Sequence, residues 1–258
     1  MVKGYYAPSV IKAFEVLKLI ASTKEGMGIS EIARELGMAK STVHGMSSAL
    51  EELGAVRRDP LTKRYTLGFT LFELGKTAYS QIDLKDLARP FMEELMERTQ
   101  TSVFLGVLNW DHVTILDVAE PRTELKITSP IGSTISLFAG AVGKVFLAMM
   151  EREEALRVIR SKGLTKYTDN SITDAGLYLE EMRAVKAQGF AMDDEEYLLG
   201  VRAVAAPIVG EGSHVMSAIW AVGFKASLDE DKMKALTTFT KAAADAIRRK
   251  VERQPFPP

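Results

Sequence analysis

"GISEIARELGMAKSTVHGMSSALEELG", residues 28–54, holds two short amphipathic patterns separated by a single glycine, Gly37. In the first, Ile29, Ile32, Ala33 and Leu36 recur at i, i+3, i+4 and i+7, the spacing of one helix face. Ser30 is placed to cap this helix, Glu31 sits at the positive end of its dipole, and Gly37 is expected to end it in the left-handed conformation. The second pattern offers Val43, Met46, Leu50 and Leu53 as its buried stripe and leaves Lys40, Thr42, His44, Gly45 and Ser48 near the opposite face. Helices this short bury little surface alone and need a third element.

That element lies upstream, where Val10, Ala13, Phe14, Leu17 and Ile20 recur at helical spacing between Ser9 and Ala21. Downstream, "AVRRDPLTKRYTLG" reads as two short strands around a type I turn at Asp59-Pro60-Leu61-Thr62, flanked by Arg57, Arg58, Lys63 and Arg64. Three helices and a basic hairpin within about 70 residues form the order of a winged helix-turn-helix, whose third helix enters the DNA major groove. Four cations around one turn repel one another unless a polyanion is near, so the hairpin is a candidate for phosphate or minor-groove contact. Solvation of an ordinary hairpin is the competing reading.

A further helix, Phe69 to Gln81, is expected to join this module to a second, with the boundary near Ile82: residues 1–82 for the DNA-binding domain and linker helix, 83–258 for the rest. Beyond a helix with Leu84, Leu87, Phe91 and Leu95 inward, "TSVFLGVLNWDHVTILDVAE" reads as two strands joined at "NWDH", and "ELKIT" as a third. Three helices follow, the last with Leu177, Met182 and Val185 inward. "VRAVAAPIVG" and "HVMSAIWAVGF" then form an antiparallel pair, and a closing helix spans residues 228–253. Paired strands with helices grouped between them indicate an α+β fold with an antiparallel sheet.

Charge supports the division. Residues 1–80 carry 11 Lys+Arg and 8 Asp+Glu, against 22 and 26 in residues 81–258, so a basic module precedes an acidic remainder. The absence of cysteine excludes disulfides, thiolate metal sites and cysteine nucleophiles. No run of about 18 apolar residues is present and the N-terminus lacks a signal-peptide pattern, so no membrane partner and a cytoplasmic location are expected.

Catalytic patterns fail on spacing. His44, His112 and His214 are scattered and form no metal-binding pair. "GAVGKV", residues 140–145, has a Gly-Lys pair, but Val145 stands where a phosphate loop needs Ser or Thr. Ser9 and Lys12 fit S-x-x-K without its partner motifs. No catalytic residue, metal site or cofactor is expected. The sharpest acidic cluster, Asp193 to Glu196, is able to hold a divalent cation, or it is a solvated turn before a strand. It keeps one alternative open, a small-molecule enzyme or carboxylate-metal protein carrying an accessory winged helix. A winged helix that makes protein contacts only is a third.

The stretch "GISEIARELGMAKSTVHGMSSALEELGAVRRDPLTKRYTLGFTLFELG" resembles the DNA-binding domain of the IclR family of bacterial transcriptional regulators. "DLARPFMEELMERT", "PIGSTISLFAGAVGKVFLA" and "GFAMDDEEYLLGVRAVAAPI" resemble the family's effector-binding domain in order and spacing. The resemblance implies a GAF-like C-terminal fold that binds a small organic effector, and a homodimer or homotetramer presenting paired winged helices to a pseudo-palindromic double-stranded DNA operator. On the recognition helix it points to Lys40, Ser41, Thr42 and His44; Gly45 departs from the arginine that similar proteins often carry there. In the effector domain it points to Ala139, Gly140 and Ala141 at a helix start, Asp193 in the acidic run, and Ala203, Trp220 and Val222 on the late strands, with Phe104 and Phe138 as further lining. The strand positions are apolar here, which favours an aromatic or otherwise hydrophobic carboxylate. Plain core is the competing reading of Trp220. Repression is the more frequent mode among similar proteins.

Overall fold

The computed structural model describes residues 7–80, 83–208 and 216–253, and the chain divides into two compact units, Met1–Ile82 and Asp83–Pro258. His214 and the expected boundary at Ile82 lie outside the described residues.

In the first unit, α1 (Pro8–Ala21), α2 (Ile29–Glu35) and α3 (Lys40–Glu52) surround one core of Val16, Leu17, Ile20, Ile32, Val43 and Leu50. The hairpin β1 (Val56–Arg58) and β2 (Tyr65–Leu67) closes it, with Tyr65 fully buried, and α4 (Phe69–Ser80) follows. Gly37 has φ +62, as its place after α2 requires. Ser30 is not the cap: Gly28 holds that position, and the Glu31 carboxylate accepts its backbone N–H at 2.8 Å. Leu53 is exposed, because α3 ends at Glu52 and the chain turns at Gly54, and Ser47 takes a buried place on the stripe instead. On α1, Val10 and Phe14 are exposed while Val16 is buried, so the inward stripe lies one step round from the one the periodicity suggests.

The wing is shaped by Asp59. Its carboxylate accepts from the Leu61 and Thr62 N–H groups at 2.9 and 2.7 Å, and Lys63 N–H donates to the Asp59 carbonyl. Lys63 itself has φ +61, a left-handed residue that the simple type I turn did not anticipate.

The second unit is a six-stranded antiparallel sheet of β3 (Ser102–Asn109), β4 (His112–Ala119), β5 (Thr134–Ser136), β6 (Ala191–Asp194), β7 (Val201–Ile208) and β8 (Ser217–Phe224), in the order β5-β4-β3-β8-β7-β6. The segment "ELKIT" is not a strand; β5 lies eight residues later, paired with β4. Asn109 and His112 pair, so the β3–β4 connection is only Trp110 and Asp111. Phe104, Ala203, Ala205 and Trp220 face α6 (Gly140–Met149) and α8 (Ala175–Gln188), while Val103, Leu105, Val204 and Ala221 face α5 (Asp83–Thr99) and α9 (Glu230–Arg253). Burial on both faces explains why β3, β7 and β8 read as nearly continuous apolar runs. Ala88 and Met92 join Leu84 and Leu95 as the buried residues of α5, with Leu87 and Phe91 half-buried. α7 (Arg152–Lys162) packs on α6.

Inside α6, Lys144 is 2% exposed. Its ammonium donates to Glu196 at 2.6 Å, to the Met192 carbonyl at 2.9 Å and to Glu181 at 3.1 Å. One charge thus ties α6 to α8 and to the end of β6. Burial pushes the Asp193 and Glu196 carboxyls above the ordinary carboxylate range, against the pull of Lys144. Carboxyls raised in this way favour the folded state in acid, and that contribution is lost as pH rises through their folded pKa values.

Replacing Lys144 by Met is expected to cost about 3–5 kcal/mol at pH 7, the usual consequence of stranding buried charge, and less near pH 4, where Asp193 and Glu196 take protons and need no cation. Urea denaturation at both pH values checks this; an equal loss at both contradicts it. A Cβ on Gly106 would meet the Trp220 ring at 2.8 Å and the Thr114 carbonyl at 2.9 Å. Gly106→Ala is therefore expected to destabilise by about 1–3 kcal/mol, partly recovered in combination with Trp220→Phe.

Candidate functional site

The first unit presents one polar face on α3. Lys40, Ser41, Thr42 and His44 are all exposed there, and space beyond Gly45 is open, so no neighbouring side chain covers this face. Ala39 occupies the N-cap without a side-chain bond and the first turn holds no acidic residue, which leaves the positive end of the helix dipole available to an anion. Helix α2 packs beside α3 and fixes its attitude.

The four wing cations separate into two kinds. Arg57 and Lys63 are exposed, and Arg58, also exposed, lies 5.7 Å from the centre of the Tyr65 ring. Arg64 is engaged internally: its guanidinium donates to the Gly26 carbonyl at 3.0 and 3.1 Å and pairs with Glu31 at 3.0 Å. The same Glu31 carboxylate that caps α2 thus anchors the wing, and the Gly28 N–H and Arg64 hold its pKa below the ordinary value. The reading of Arg64 as a free phosphate contact is corrected by these bonds.

The second unit brings together the residues expected around the effector. Phe104, Phe138, Ala141, Ala203 and Trp220 belong to one buried cluster against which Val222 packs, and Ala139 precedes them at the N-cap of α6. Gly140 has φ +51, and a Cβ there would lie 2.0 Å from an Asp193 carboxylate oxygen. That contact explains glycine at the head of α6. Asp193 is 4% exposed, ends β6 and accepts the Glu196 N–H at 2.7 Å, so the acidic run is not the solvated turn that its composition suggests. Its other carboxylates are matched by protein cations: Asp194 by Arg202 at 2.8 Å and Lys225 at 2.9 Å, Glu195 by Lys225, and Glu196 by Lys144. Arg202 and Lys225 hold Asp194 at a pKa of about 2.

The Trp220 indole stacks on Phe104, with ring centroids 5.5 Å apart and planes 11° from parallel, and Gly106 supplies the notch in which it lies. Little space is left beside them. Between Phe138, Gly140, Tyr178 and Glu196 the cavity gives a water centre only about 10 Å³. Tyr178 was missed in the sequence, where Leu177 stood as the inward residue; Leu177 is exposed and Tyr178 buried. Tyr178, Met182 and Val185, at i, i+4 and i+7, carry the signal that identifies the true stripe. The Tyr178 hydroxyl is buried without a hydrogen-bond partner, and burial raises its pKa.

No helix among the described residues is long and apolar enough to cross a membrane. Residues 9–60 match the model of the IclR helix-turn-helix domain, and residues 76–249 match that of the C-terminal domain of bacterial transcriptional regulators of the IclR type. The chain is 32% identical over 226 residues to the HTH-type transcriptional regulator BhcR of Paracoccus denitrificans, covering 88% of this chain and 81% of the relative. The IclR transcriptional regulator of Alicyclobacillus acidocaldarius superposes with a TM-score of 0.79 at 28% identity, over 95% of this chain and 99% of that one. An IclR homologue from Microbacterium hydrocarbonoxydans, solved in complex with 4-hydroxybenzoate, shares the fold with a TM-score of 0.75 at 21% identity, over 95% and 100% of the two chains. A winged helix-turn-helix followed by an antiparallel α+β unit, matched by family models from end to end, makes this chain a member of the IclR family of transcriptional regulators, a DNA-binding protein and not an enzyme.

Proposed function

We propose that this regulator binds a pseudo-palindromic operator as a homodimer or a pair of dimers, and represses until a small aromatic or hydrophobic carboxylate enters the second unit. The observation that carries the DNA half is the uncovered polar face of α3 beside a wing whose Arg57, Arg58 and Lys63 are exposed. In this reading Lys40, Ser41, Thr42 and His44 meet base edges and phosphates in the major groove, and the wing cations meet flanking phosphates. Gly45 adds no side chain, so base reading falls to its neighbours. Assembly is supported by exposed apolar side chains on the first unit, Phe69 at 78% and Phe72 at 67% on α4 with Val10 and Phe14 on α1, which a second copy would cover.

The effector half rests on the chemistry around Gly140. The unpartnered Tyr178 hydroxyl offers a hydrogen bond to a ligand oxygen, the head of α6 offers its dipole, and Phe104, Phe138 and Trp220 offer aromatic faces. The complex of the Microbacterium homologue with 4-hydroxybenzoate is in keeping with that chemistry. Because the aromatic side chains fill the space, a ring enters only as they part. Binding then selects a different arrangement of the protein and changes how well two winged helices fit the operator.

DNA selected by the protein from a random pool provides the test. Arg57→Ala, Arg58→Ala and Lys63→Ala together are expected to weaken binding and to reduce the slope of log affinity against log salt by about 3, one per lost phosphate contact. Arg64→Ala is expected instead to lower the stability of the first unit with a smaller change in slope; equal slopes for the triple variant and the parent contradict the reading. For the effector, 4-hydroxybenzoate and benzoate are expected to raise the melting temperature and quench the buried Trp220, whereas pyruvate and glyoxylate leave both unchanged. A shift with the oxoacids alone contradicts the aromatic assignment.

A further inference from the structure

Where β3 begins and β8 ends, the second unit contains a cavity of about 480 Å³. That volume lies within the range of small-molecule pockets, and the cavity excludes Gly140, Asp193 and Tyr178. Of the residues expected around the effector, Val222 alone lines it. Its apolar wall includes Leu236 and Phe239 of α9.

Two independent features describe what would occupy it. First, every charged residue lining the cavity is a cation: Arg98 at the end of α5, Lys126 in the segment after β4, and Lys232 on α9. Their partners, Glu94, Glu120 and Asp229, stand outside the lining, and the pairs are partly exposed to solvent. Such pairs hold their cations weakly, and an incoming anion competes with them readily. The Arg98 guanidinium already lies 3.9 Å from the centre of the Phe239 ring, so charge and apolar surface meet at one place. Second, Ser102, another lining residue, is 1% exposed and its hydroxyl has no hydrogen-bond partner. A buried hydroxyl left unpaired costs stability, and a ligand oxygen would satisfy it.

We propose that this cavity is a second small-molecule site, distinct from the one beside Gly140, and that it takes an amphipathic carboxylate. The apolar body lies along Leu236 and Phe239, and the carboxylate meets the cations and the Ser102 hydroxyl. An anionic head alone gains little from the apolar wall, and an uncharged alkyl chain gains nothing from the three cations. The site therefore discriminates by the combination.

Isothermal titration calorimetry of the full chain with octanoate tests the assignment, with 1-octanol as the uncharged control. Saturable octanoate binding is expected, about tenfold tighter than that of the alcohol. Ala235→Trp fills the cavity from α9, and Lys126→Gln with Lys232→Gln removes two cations at solvent-exposed positions where folding is not at risk. Each is expected to weaken octanoate binding about tenfold, whereas Tyr178→Phe leaves it unchanged. No saturable heat at millimolar octanoate, or an undiminished affinity in the double lysine variant, overturns the proposal. Loss of octanoate binding in Tyr178→Phe alone also overturns it, since the molecule then occupies the site beside Gly140. A response to 4-hydroxybenzoate that survives in Ala235→Trp separates the fate of this site from that of the proposed effector site.

Discussion

The buried ammonium of Lys144 is the constraint on which the arrangement of the second unit depends. A charge in an interior is tolerable only when its donors are satisfied, and Lys144 finds acceptors on two other elements, Glu181 of α8 and the Met192 carbonyl and Glu196 around the end of β6. Meeting those acceptors sets where the acidic run lies against α6. Asp193 then comes against Gly140, and only a residue without a side chain fits at the head of the helix. The Trp220–Phe104 stack completes the same layer, seated in the space that Gly106 leaves open. Polar anchoring and aromatic packing thus act on one small region from different sides.

The first unit is organised by a smaller charge cluster with the same economy of parts. Glu31 caps α2 through the Gly28 N–H and holds Arg64, which itself bonds to the Gly26 carbonyl. The wing is attached to the helices by that cluster and by the buried Tyr65 ring, leaving Arg57, Arg58 and Lys63 on the outside. A DNA-binding surface needs this division of labour, because a cation spent on folding has less to offer a phosphate.

The helices of the first unit were legible because each is amphipathic over several turns and punctuated by Gly37 and Gly54. Failures came where tertiary contacts decide. Leu53 and Phe14 sit on the apolar side of their patterns yet are exposed, and Arg64 looks like its three basic neighbours yet is bonded internally. In the second unit, strands buried on both faces lose the alternation that reveals orientation, so the sequence located β7 and β8 without showing which residues face α6. The strand β6 hid inside an acidic run, since composition alone makes Asp193 a solvent-facing residue and only the approach of α6 buries it. The expected lining around Gly140 does assemble in space, but the Tyr178 hydroxyl, its most distinctive polar group, was concealed one residue from the position chosen.

The central claim is that the exposed face of α3 reads the major groove. Methylation of guanine N7 places an obstacle on the major-groove edge without disturbing the phosphates, so an interference footprint on DNA selected by this protein addresses that claim directly. The account predicts two clusters of interfering guanines, related by the two-fold symmetry of the site and separated by a whole number of helical turns, with those opposite Lys40 becoming neutral in Lys40→Ala. Binding that tolerates N7 methylation throughout, and that is instead blocked by minor-groove modification alone, would contradict it.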